Sequence, residues 1–427
     1  MFTAERNELL TRVGRGTPVG ELFRRYWLPA LLATELPEPD CAPVRVKLLG
    51  ECLVAFRDSS GRLGLIEEFC AHRGVSLWFG RNEENGIRCP YHGWKYDVTG
   101  QCVDLPSEPE ESGMRKNIRL GSYPAIELAG VIWAYLGPAD RKPEEPAYEW
   151  TRVPPAHRYV SKRLQESNYL QAMEGALDSV HSGFLHRHSV ADDPLLKRDP
   201  ASLAMLLADR HPKIVPTGSP AGLYVATRRD VGTDRYYWRV TQWLMPCFSF
   251  FPPYGDNPYG GHAFVPIDDE RCWTFSIDYH PGRALAAGER EAAHAGCGIH
   301  VPLIEGSFIP AANRRNDYLI DREAQKSKRS FSGVPGVGVQ DAAVQESMGA
   351  IQDRTREHLV SSDNGIVKTR RLLMDAAGAV ARGDAPPGVA PAAQGARAVS
   401  MVAPRELSLP EAVAMAQKDP AQTVPTA

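Results

Sequence analysis

The 427-residue sequence has no long apolar run and no excess of charge of either sign. No stretch approaches the ~18 consecutive apolar residues that a membrane-spanning helix needs. The N-terminus reads MFTAERNELL, with Glu5, Arg6 and Glu8 where a signal peptide would need an apolar core. Lys and Arg number 49 against 52 Asp and Glu, which argues against a polyanionic partner such as nucleic acid. We therefore expect a cytoplasmic protein.

Cysteine is sparse and scattered, with eight residues spread over the chain. That density is far too low for a secreted disulfide scaffold, so the pattern predicts reduced thiols, some of them metal ligands. At roughly 100 to 200 residues per domain, the length predicts two or three folding units with ample core. A chain of this length therefore does not need a structural metal or disulfides to stabilise its fold.

The order of elements predicts an α+β fold. Between about 43 and 140, runs such as VRVKLLG, CLVAF and VIWAYLG alternate with turns such as DSSG, which indicates a compact antiparallel β unit. Helical patterns cover 1–39, 163–182 and 339–375, and strands return over 222–280. The β unit is thus inserted into a larger domain with a central antiparallel sheet flanked by helices.

We predict three segments from these patterns. Residues 41–148 form the β unit, and residues 1–40 with 149–380 form the larger domain. Residues 381–427 form an Ala/Pro/Gly-rich C-terminal extension, in which 381–396 is a flexible or surface-wrapped connection.

The first group of candidate ligands lies in the β unit. FCAHRG and RCPYHGW give C-x-H, sixteen intervening residues and then C-x-x-H, through Cys70, His72, Cys89 and His92. Two thiolates and two imidazoles can hold a zinc ion, or a 2Fe-2S cluster with Cys on one iron and His on the other. Because Cys and His alternate, the segment resembles Rieske iron-sulfur domains. That resemblance assigns both Cys to one iron and both His to the other.

A second group lies in NYLQAMEGALDSVHSGFLHRHS. Glu174, Asp178 and His181 are separated by four and three residues, which on a helix predicts one polar stripe. His186 follows His181 by five residues, and a break at the intervening Ser-Gly pair would bring it back toward its partner. His188 is the rival, but it stands about 10 Å further along a helix, too far to share one metal without bending.

Together the two groups resemble the Rieske non-heme iron oxygenases, from RRYWLPA to about residue 375. The resemblance implies a helix-grip-like catalytic domain in which His181 and His186 bind mononuclear Fe(II) with one carboxylate. It also gives Asp178 a catalytic role, as the acid between an iron-bound histidine and a cluster histidine of the neighbouring subunit. Glu174 is a further polar candidate one turn earlier.

The third iron ligand is expected late in the chain, where Asp341, Glu346, Asp353 and Glu357 are available. The family places this acid at a helix start, about two turns before a small residue, and Asp341 lies eight residues before Gly349. We favour Asp341, although the same position suits a helix cap. Asp353 is more typical of a structural ion pair with its neighbour Arg354.

The segment DRTREHLVSSDNGI resembles the phthalate dioxygenase branch of this family. That implies hydroxylation of an aromatic carboxylate, phthalate- or benzoate-like, with O₂ and electrons from NAD(P)H delivered by a flavin and iron-sulfur reductase. It also implies a homotrimer or a hexamer of stacked trimers. O-demethylation of a methoxy or aryl-ether aromatic acid uses the same iron, and the motifs do not separate the two reactions.

An anionic substrate needs a cation in an otherwise apolar pocket, and Arg binds both oxygens of a carboxylate. Arg239 and Arg210 are the candidates, with Arg229 as a rival; each also fits a solvated surface position. A different class of function is an electron carrier or zinc-binding scaffold without oxygenase activity. Such a carrier would not need His181, His186 and Asp341.

Overall fold

The computed structural model describes residues 2–189, 193–196, 204 and 211–418. In that part of the chain the α-helices are α1 (Ala4–Thr11), α2 (Pro18–Phe23), α3 (Glu149–Arg152), α4 (Tyr169–Leu177), α5 (Ala287–His294), α6 (Arg322–Lys326), α7 (Val337–Ser347), α8 (Asn364–Ala381) and α9 (Leu409–Lys418). None of the described helices combines the length and the hydropathy of a membrane-spanning segment.

The strands of the first third of the chain are short and those of the remainder are longer. They are β1 (Trp27–Leu32), β2 (Val44–Leu48), β3 (Glu51–Arg57), β4 (Leu63–Glu67), β5 (Arg81–Glu83), β6 (Gly86–Arg88), β7 (Lys95–Tyr96), β8 (Cys102–Asp104), β9 (Ala125–Leu128), β10 (Val131–Tyr135), β11 (Arg158–Gln165), β12 (Lys213–Ser219), β13 (Gly222–Val231), β14 (Arg235–Leu244), β15 (Phe248–Phe251), β16 (Tyr259–Pro266), β17 (Cys272–Tyr279) and β18 (Val399–Pro404).

The short strands form three small antiparallel sheets. Their orders are β1-β10-β9, β2-β3-β4 and β5-β6-β7-β8. The last two sheets enclose a separate apolar core built around Phe56, Ile87 and Tyr96. This is the antiparallel β unit that the sequence predicts.

The long strands form one antiparallel sheet of eight strands, in the order β11-β17-β16-β15-β14-β13-β12 with β18 paired to β14. Helix α4 packs against β16 and β15, and α7 packs against α4. Helix α8 packs on α2 from the start of the chain. The main core therefore joins the N-terminal helices to the large sheet, and the predicted mixed α+β architecture is confirmed.

All three helical expectations need correction. The stretch 1–39 contains helices α1 and α2 but also strand β1, which pairs with β10. The stretch 163–182 begins as strand β11, becomes helix only over Tyr169–Leu177, and ends where Asp178 takes an extended conformation. The stretch 339–375 is two α-helices, α7 and α8, separated by a segment with two short 3₁₀ turns, Arg354–Arg356 and Ser361–Asp363. The polar stripe through Glu174, Asp178 and His181 therefore does not form, because the helix stops before its second member.

The sequence predicts an Ala/Pro/Gly-rich C-terminal extension without assigning it a strand, whereas the structure places a strand and a helix in it. Strand β18 pairs with β14 in register from Arg235↔Pro404 to Val240↔Val399. Helix α9 packs on β18 and covers an apolar cluster that includes Trp238. Composition concealed this strand, because VSMVAP is short and follows a stretch rich in Ala, Pro and Gly.

Candidate metal centres and the cavity beside them

The candidate cluster ligands Cys70, His72, Cys89 and His92 lie on two loops, and both loops form the same type of turn. In each loop the carbonyl of the Cys accepts the N–H of the Gly four residues later, Gly74 to Cys70 at 2.9 Å and Gly93 to Cys89 at 3.1 Å. Both glycines have positive φ, +73° and +77°, a conformation that favours glycine because it has no Cβ. The glycine that follows each candidate His is therefore part of the turn that presents it.

The four side chains of these loops converge. The rings of His72 and His92 lie 4.4 Å apart, centroid to centroid. Cys70 and Cys89 are buried, whereas His72 is exposed and His92 half-buried. An inner pair of thiols and an outer pair of imidazoles fits a 2Fe-2S cluster with one all-Cys and one all-His iron.

Two aromatic residues behind these loops escaped the sequence analysis. The Tyr96 hydroxyl lies 3.2 Å from the Cys70 sulfur and also accepts the Ala71 N–H. Burial raises the pKa of Tyr96, so its phenol stays protonated. The Trp94 ring stacks on His72, with centroids 4.5 Å apart and planes 9° apart. Their position in RCPYHGWKY, directly after the second Cys-His pair, was the available signal.

A second set of ligands meets where α4 ends and α7 runs past it. His181 Nε2 lies 3.0 Å from His186 Nε2 and 3.5 Å from Asp341 Oδ1, and His186 Nε2 lies 3.2 Å from Asp341 Oδ1. Three ligand atoms at these separations can share one metal ion at about 2.0–2.2 Å. Two imidazoles and one carboxylate are the donor set of non-heme Fe(II) sites. His188 is not a member of this group.

The three rival carboxylates, Glu346, Asp353 and Glu357, do not belong to the set formed by His181, His186 and Asp341. Asp341 lies in the second turn of α7, which begins after Gly336, so it is not the cap of that helix. Glu346 accepts the Glu166 N–H and the Tyr318 hydroxyl. The last two acids are also engaged: Asp353 caps Thr355, and Glu357 pairs with Arg370.

The Asp341 carboxylate and the two imidazoles stabilise each other's charged forms. Burial disfavours charge on His181, but the Asp341 carboxylate outweighs it and raises the pKa of His181 to about 9. Although burial alone would raise the pKa of Asp341, His186 and His181 hold it far below its usual range. A carboxylate between two imidazoles therefore stays ionised, as a metal ligand must.

Each imidazole has a neighbour on its other nitrogen. His186 Nδ1 lies 2.8 Å from Gln340 Oε1, and the Gln340 amide is fixed by donation to Val334 O and Ser189 Oγ, both at 2.9 Å. An N–H donated by Nδ1 leaves the Nε2 lone pair facing the ligand set. Gln340 was missed by the sequence analysis, although it directly precedes Asp341.

Asp178 lies beside the other imidazole. Its Oδ2 is 3.7 Å from His181 Nδ1, beyond hydrogen-bonding distance, and its Oδ1 accepts the Val180 N–H at 2.8 Å. His181 Nδ1 has no hydrogen-bond partner among the described residues. The Asp178 side chain is 28% exposed, so it stands at the outer side of the site.

Glu174 does not belong to the ligand set. It is buried, accepts Arg354 Nη2 at 3.0 Å and Arg370 Nε at 2.6 Å, and joins α4 to two later segments. The expected Asp353–Arg354 pair is therefore wrong, because Arg354 turns inward to Glu174. Asp353 remains exposed and caps the following turn.

A cavity of about 150 Å³ lies against the second ligand set. His181, His186 and Asp341 form part of its wall, and the large sheet forms the opposite part. Apolar residues such as Phe251 and Phe264 line much of the sheet side. The polar and charged residues that the strands contribute are Arg163, Thr227, Arg229, Arg239, Thr241, His262 and Asp278, and Asn257 comes from the connection between β15 and β16.

The candidate arginines have different surroundings. Arg239 lines the cavity, and its guanidinium donates to Pro252 O at 2.7 Å and Pro253 O at 3.2 Å while stacking on Tyr254. Arg229 lines the cavity and is buried. Arg210 lies outside the described residues. Arg163 was missed because its segment was interpreted as helical, whereas strand β11 directs it to the cavity.

Comparison with known proteins agrees with both halves of this arrangement. A family model described as the Rieske [2Fe-2S] domain matches residues 26–124, and one described as LigXa C-terminal domain like matches residues 134–407. The oxygenase subunit of 3-chlorobenzoate-3,4-dioxygenase from Comamonas testosteroni is 38% identical over 406 residues, covering 91% of this chain and 92% of that protein. The oxygenase subunit of phthalate 4,5-dioxygenase from Pseudomonas putida is 37% identical over 391 residues, covering 90% and 88%.

The fold is also found in a solved structure. Dicamba monooxygenase bound to dicamba superposes with a TM-score of 0.57 at 18% identity, covering 84% of this chain and 98% of that one. The two family models, the two relatives and the paired ligand sets lead to one assignment. The chain belongs to the Rieske non-heme iron oxygenases, as the alpha subunit of an oxygenase component in the branch that contains phthalate dioxygenase.

Proposed function

We propose that this chain hydroxylates an aromatic carboxylate, phthalate- or benzoate-like, with O₂ and electrons that a separate reductase takes from NAD(P)H. The observation that carries the proposal is the meeting of His181, His186 and Asp341 in the wall of a cavity, on a chain that also carries a Rieske domain. The names of the two relatives, a chlorobenzoate and a phthalate dioxygenase, support an aromatic acid as substrate.

The residues have distinct tasks in this proposal. Cys70, Cys89, His72 and His92 hold the 2Fe-2S cluster, and His181, His186 and Asp341 hold ferrous iron. When bound, the cluster supplies single electrons and the ferrous ion supplies O₂ activation. Gln340 fixes the orientation of His186, since its own amide is held at two further points. The apolar wall of the cavity binds the ring and excludes water.

The substrate carboxylate is assigned to Arg239 and Arg210, with Arg229 as the rival candidate. Arg239 supports this role because it lines the cavity and is held in place by two carbonyl oxygens and the Tyr254 ring. Replacing Arg239 by Gln is expected to raise KM for an aromatic acid far more than for a neutral analogue, because only the acid loses a charge-assisted pair.

We infer that Asp178 links the two metal centres across subunits of a homotrimer, or of a hexamer of stacked trimers. Its carboxylate faces His181 on one side and is partly exposed on the other, as a bridge to a cluster imidazole of a second copy requires. Asp178→Asn is expected to retain both metals and to slow electron transfer from the reduced cluster about 10- to 100-fold. Rapid-mixing absorbance measures that step, and light scattering measures the assembly.

The division of the chain follows the same proposal. Residues 41–148 are the cluster-bearing unit, inserted into a catalytic unit made of residues 1–40 and 149–380. Helix α8 packs on α2, and the Tyr169 hydroxyl of α4 donates to Leu10 O of α1, which supports grouping the N-terminal helices with the catalytic unit.

The decisive experiment is metal analysis and EPR of the protein purified without oxygen, followed by turnover with a reductase and a panel of aromatic acids. A Rieske signal with about three irons per chain and a hydroxylated acid as product are expected. Formaldehyde released from a methoxylated acid would instead assign O-demethylation to the same site. Zinc without visible absorbance would contradict the proposal and favour a zinc-binding scaffold.

A further inference from the structure

The cavity wall contains a buried cation that the assigned roles do not use. Arg163 is 4% exposed and lines the cavity from strand β11. Its Nε and Nη1 atoms are buried and have no hydrogen-bond partner among the residues that the structure describes. Buried guanidinium groups are normally paired, because desolvating a charge without a partner is costly.

The carboxylates whose charges act on Arg163 are already engaged. Glu346 accepts one N–H and one hydroxyl, and Asp341 lies between the two imidazoles of the metal set. The donors of Arg163 are therefore left to whatever occupies the cavity. Gln165 and Glu166, at the end of β11, donate to Gln345 and Glu346 of α7, the helix that carries Asp341. Arg163 therefore lies toward the metal end of the cavity.

The cavity also holds more hydrogen-bonding groups than a single carboxylate uses. Asn257 is 1% exposed, and neither its Oδ1 nor its Nδ2 has a partner among the described residues. Thr227 Oγ1 is likewise buried without a partner. One carboxylate has two oxygens, which a single arginine fork can occupy. A ligand with one acidic group would leave several of these atoms unsatisfied.

The two cationic parts of the cavity belong to distant strands. Arg239 and Thr227 are cross-strand partners on β14 and β13, whereas β11 is the edge strand at the opposite end of the sheet path. Since residues of both ends line one cavity, the sheet curves around it and presents cations from two sides. A ligand that satisfies both sides carries acceptor groups on separate positions of its ring.

We propose that Arg163 is a specificity-determining residue that binds a second anionic group of the substrate, so that this chain prefers an aromatic diacid to a monoacid. The inference rests on the proposed function, since it names the substrate class of that same site. Anchoring the second acid at the metal end of the cavity also fixes which ring carbon faces the iron ligands.

The test compares how changes in the protein and changes in the ligand affect affinity, and it uses the iron-loaded protein under argon. Dissociation constants are measured calorimetrically for benzoate and the three benzenedicarboxylate isomers, on wild type, Arg163→Gln and Arg163→Lys. Arg371→Gln is the control, because Arg371 is an exposed arginine on α8. Iron content and the visible spectrum verify that each variant is folded and loaded.

Wild type is expected to bind at least one dicarboxylate about tenfold or more tightly than benzoate. Arg163→Gln should abolish that advantage and leave benzoate within about twofold, and Arg163→Lys should retain part of it, since an ammonium keeps the charge but not the fork. With turnover, Arg163→Gln should also yield a mixture of product regioisomers.

Two results would overturn the inference while the proposed function stands. One is equal affinity of wild type for benzoate and every dicarboxylate, a result that does not depend on any variant folding. The other is an equal loss of affinity for both ligand types in Arg163→Gln, which would make Arg163 a structural residue. Failure of wild type to bind or convert any aromatic acid would overturn the proposed function as well.

Discussion

At the scale of single residues, the cavity wall sets the charge state of His262. Burial, assisted by the nearby Arg163 guanidinium, lowers the pKa of His262 to about 3, while Asp341 acts in the opposite direction. The imidazole is therefore neutral in the folded protein, with Nδ1 3.1 Å from Ser276 Oγ. A divalent ion at the neighbouring metal site would lower this pKa further.

The sign of the resulting pH dependence follows from linkage. The folded pKa of about 3 lies below the unfolded value near 6.5, so the unfolded chain takes up the proton first as the pH falls. The stabilisation from His262 is thus complete above about pH 6.5 and is lost toward pH 3, by at most about 1.4 kcal/mol per pH unit.

Wild type should lose more thermal stability than His262→Gln between pH 7 and 5. The exposed His358→Gln should behave like wild type, and parallel curves for all three would contradict the assignment.

The site residues that sequence could predict are those fixed by local spacing. Cys70, His72, Cys89 and His92 stand on tight turns, and the chain between each Cys and its His determines where both point. Gln340 and Arg163 were missed because their roles depend on packing between segments more than 130 residues apart. Nothing in the local pattern of RYVSKRLQ shows that a sheet edge will curve toward the metal site.

At the scale of elements, a buried ion cluster fixes the end of α4. Glu174 binds Arg354 and Arg370, and Arg370 also binds Glu357. Although burial opposes its ionisation, the two arginines lower the pKa of Glu174, so it stays charged. The helix ends one turn later, at Asp178. The cluster therefore supports the metal-binding segment without contacting a ligand.

Glu174→Gln is expected to destabilise the fold by about 3 kcal/mol, because it leaves Arg354 buried without its counter-charge. Differential scanning calorimetry measures the change in melting temperature, and iron analysis measures whether the mononuclear site loses occupancy. Asp353→Asn is the matched control, since Asn caps a turn as well as Asp and this residue is exposed. Equal melting temperatures for Glu174→Gln and Asp353→Asn would show that the cluster contributes little.

The two cluster loops allow a comparison between equivalent glycines. A Cβ at Gly74 would meet nothing within 4 Å, whereas a Cβ at Gly93 would lie 3.0 Å from Pro106 Cγ. Both positions have positive φ, which costs an L-residue about 1–2 kcal/mol. Gly93→Ala should therefore lose more acid-labile sulfide per chain than Gly74→Ala, and its cluster should bleach at lower temperature. A larger loss in Gly74→Ala would contradict this reading of the loops.

Helix ends were the least predictable features at this scale. Apolar spacing indicated helix beyond Leu177, but Asp178 accepts the N–H of Val180 and takes an extended conformation. An Asp side chain that bonds the backbone just ahead of it competes with the helix. The short 3₁₀ turn His181–Gly183 then brings His186 back to His181, as the Ser-Gly break suggested.

At the scale of the whole molecule, residues from the N-terminal and C-terminal regions both pack against or pair with the large sheet. The N-terminal helices share the main core with the sheet, and β18 from the C-terminal region pairs with β14 beside Arg239. Gln394 ties the connection to the domain, accepting the Ala147 N–H and donating to Gly388 O. Sequence predicted the α+β class and the antiparallel β unit, because those depend on element type. It missed the pairing of β18 with β14, because the two strands are about 160 residues apart in the sequence.

The pairing of β18 with β14 makes the C-terminal region part of the large sheet. Removing the residues after 397 would delete β18 and α9 and expose the apolar cluster around Trp238 and Val240. Over Arg235–Val240, β14 would keep its pairing with β13 but lose its pairing with β18. An exposed apolar strand edge pairs readily with other chains. A chain ending at 397 should therefore aggregate, whereas a chain ending at 418 should keep the melting temperature and substrate affinity of the full protein. Light scattering and calorimetry measure both, and a soluble, fully stable chain ending at 397 would show that β14 does not depend on β18.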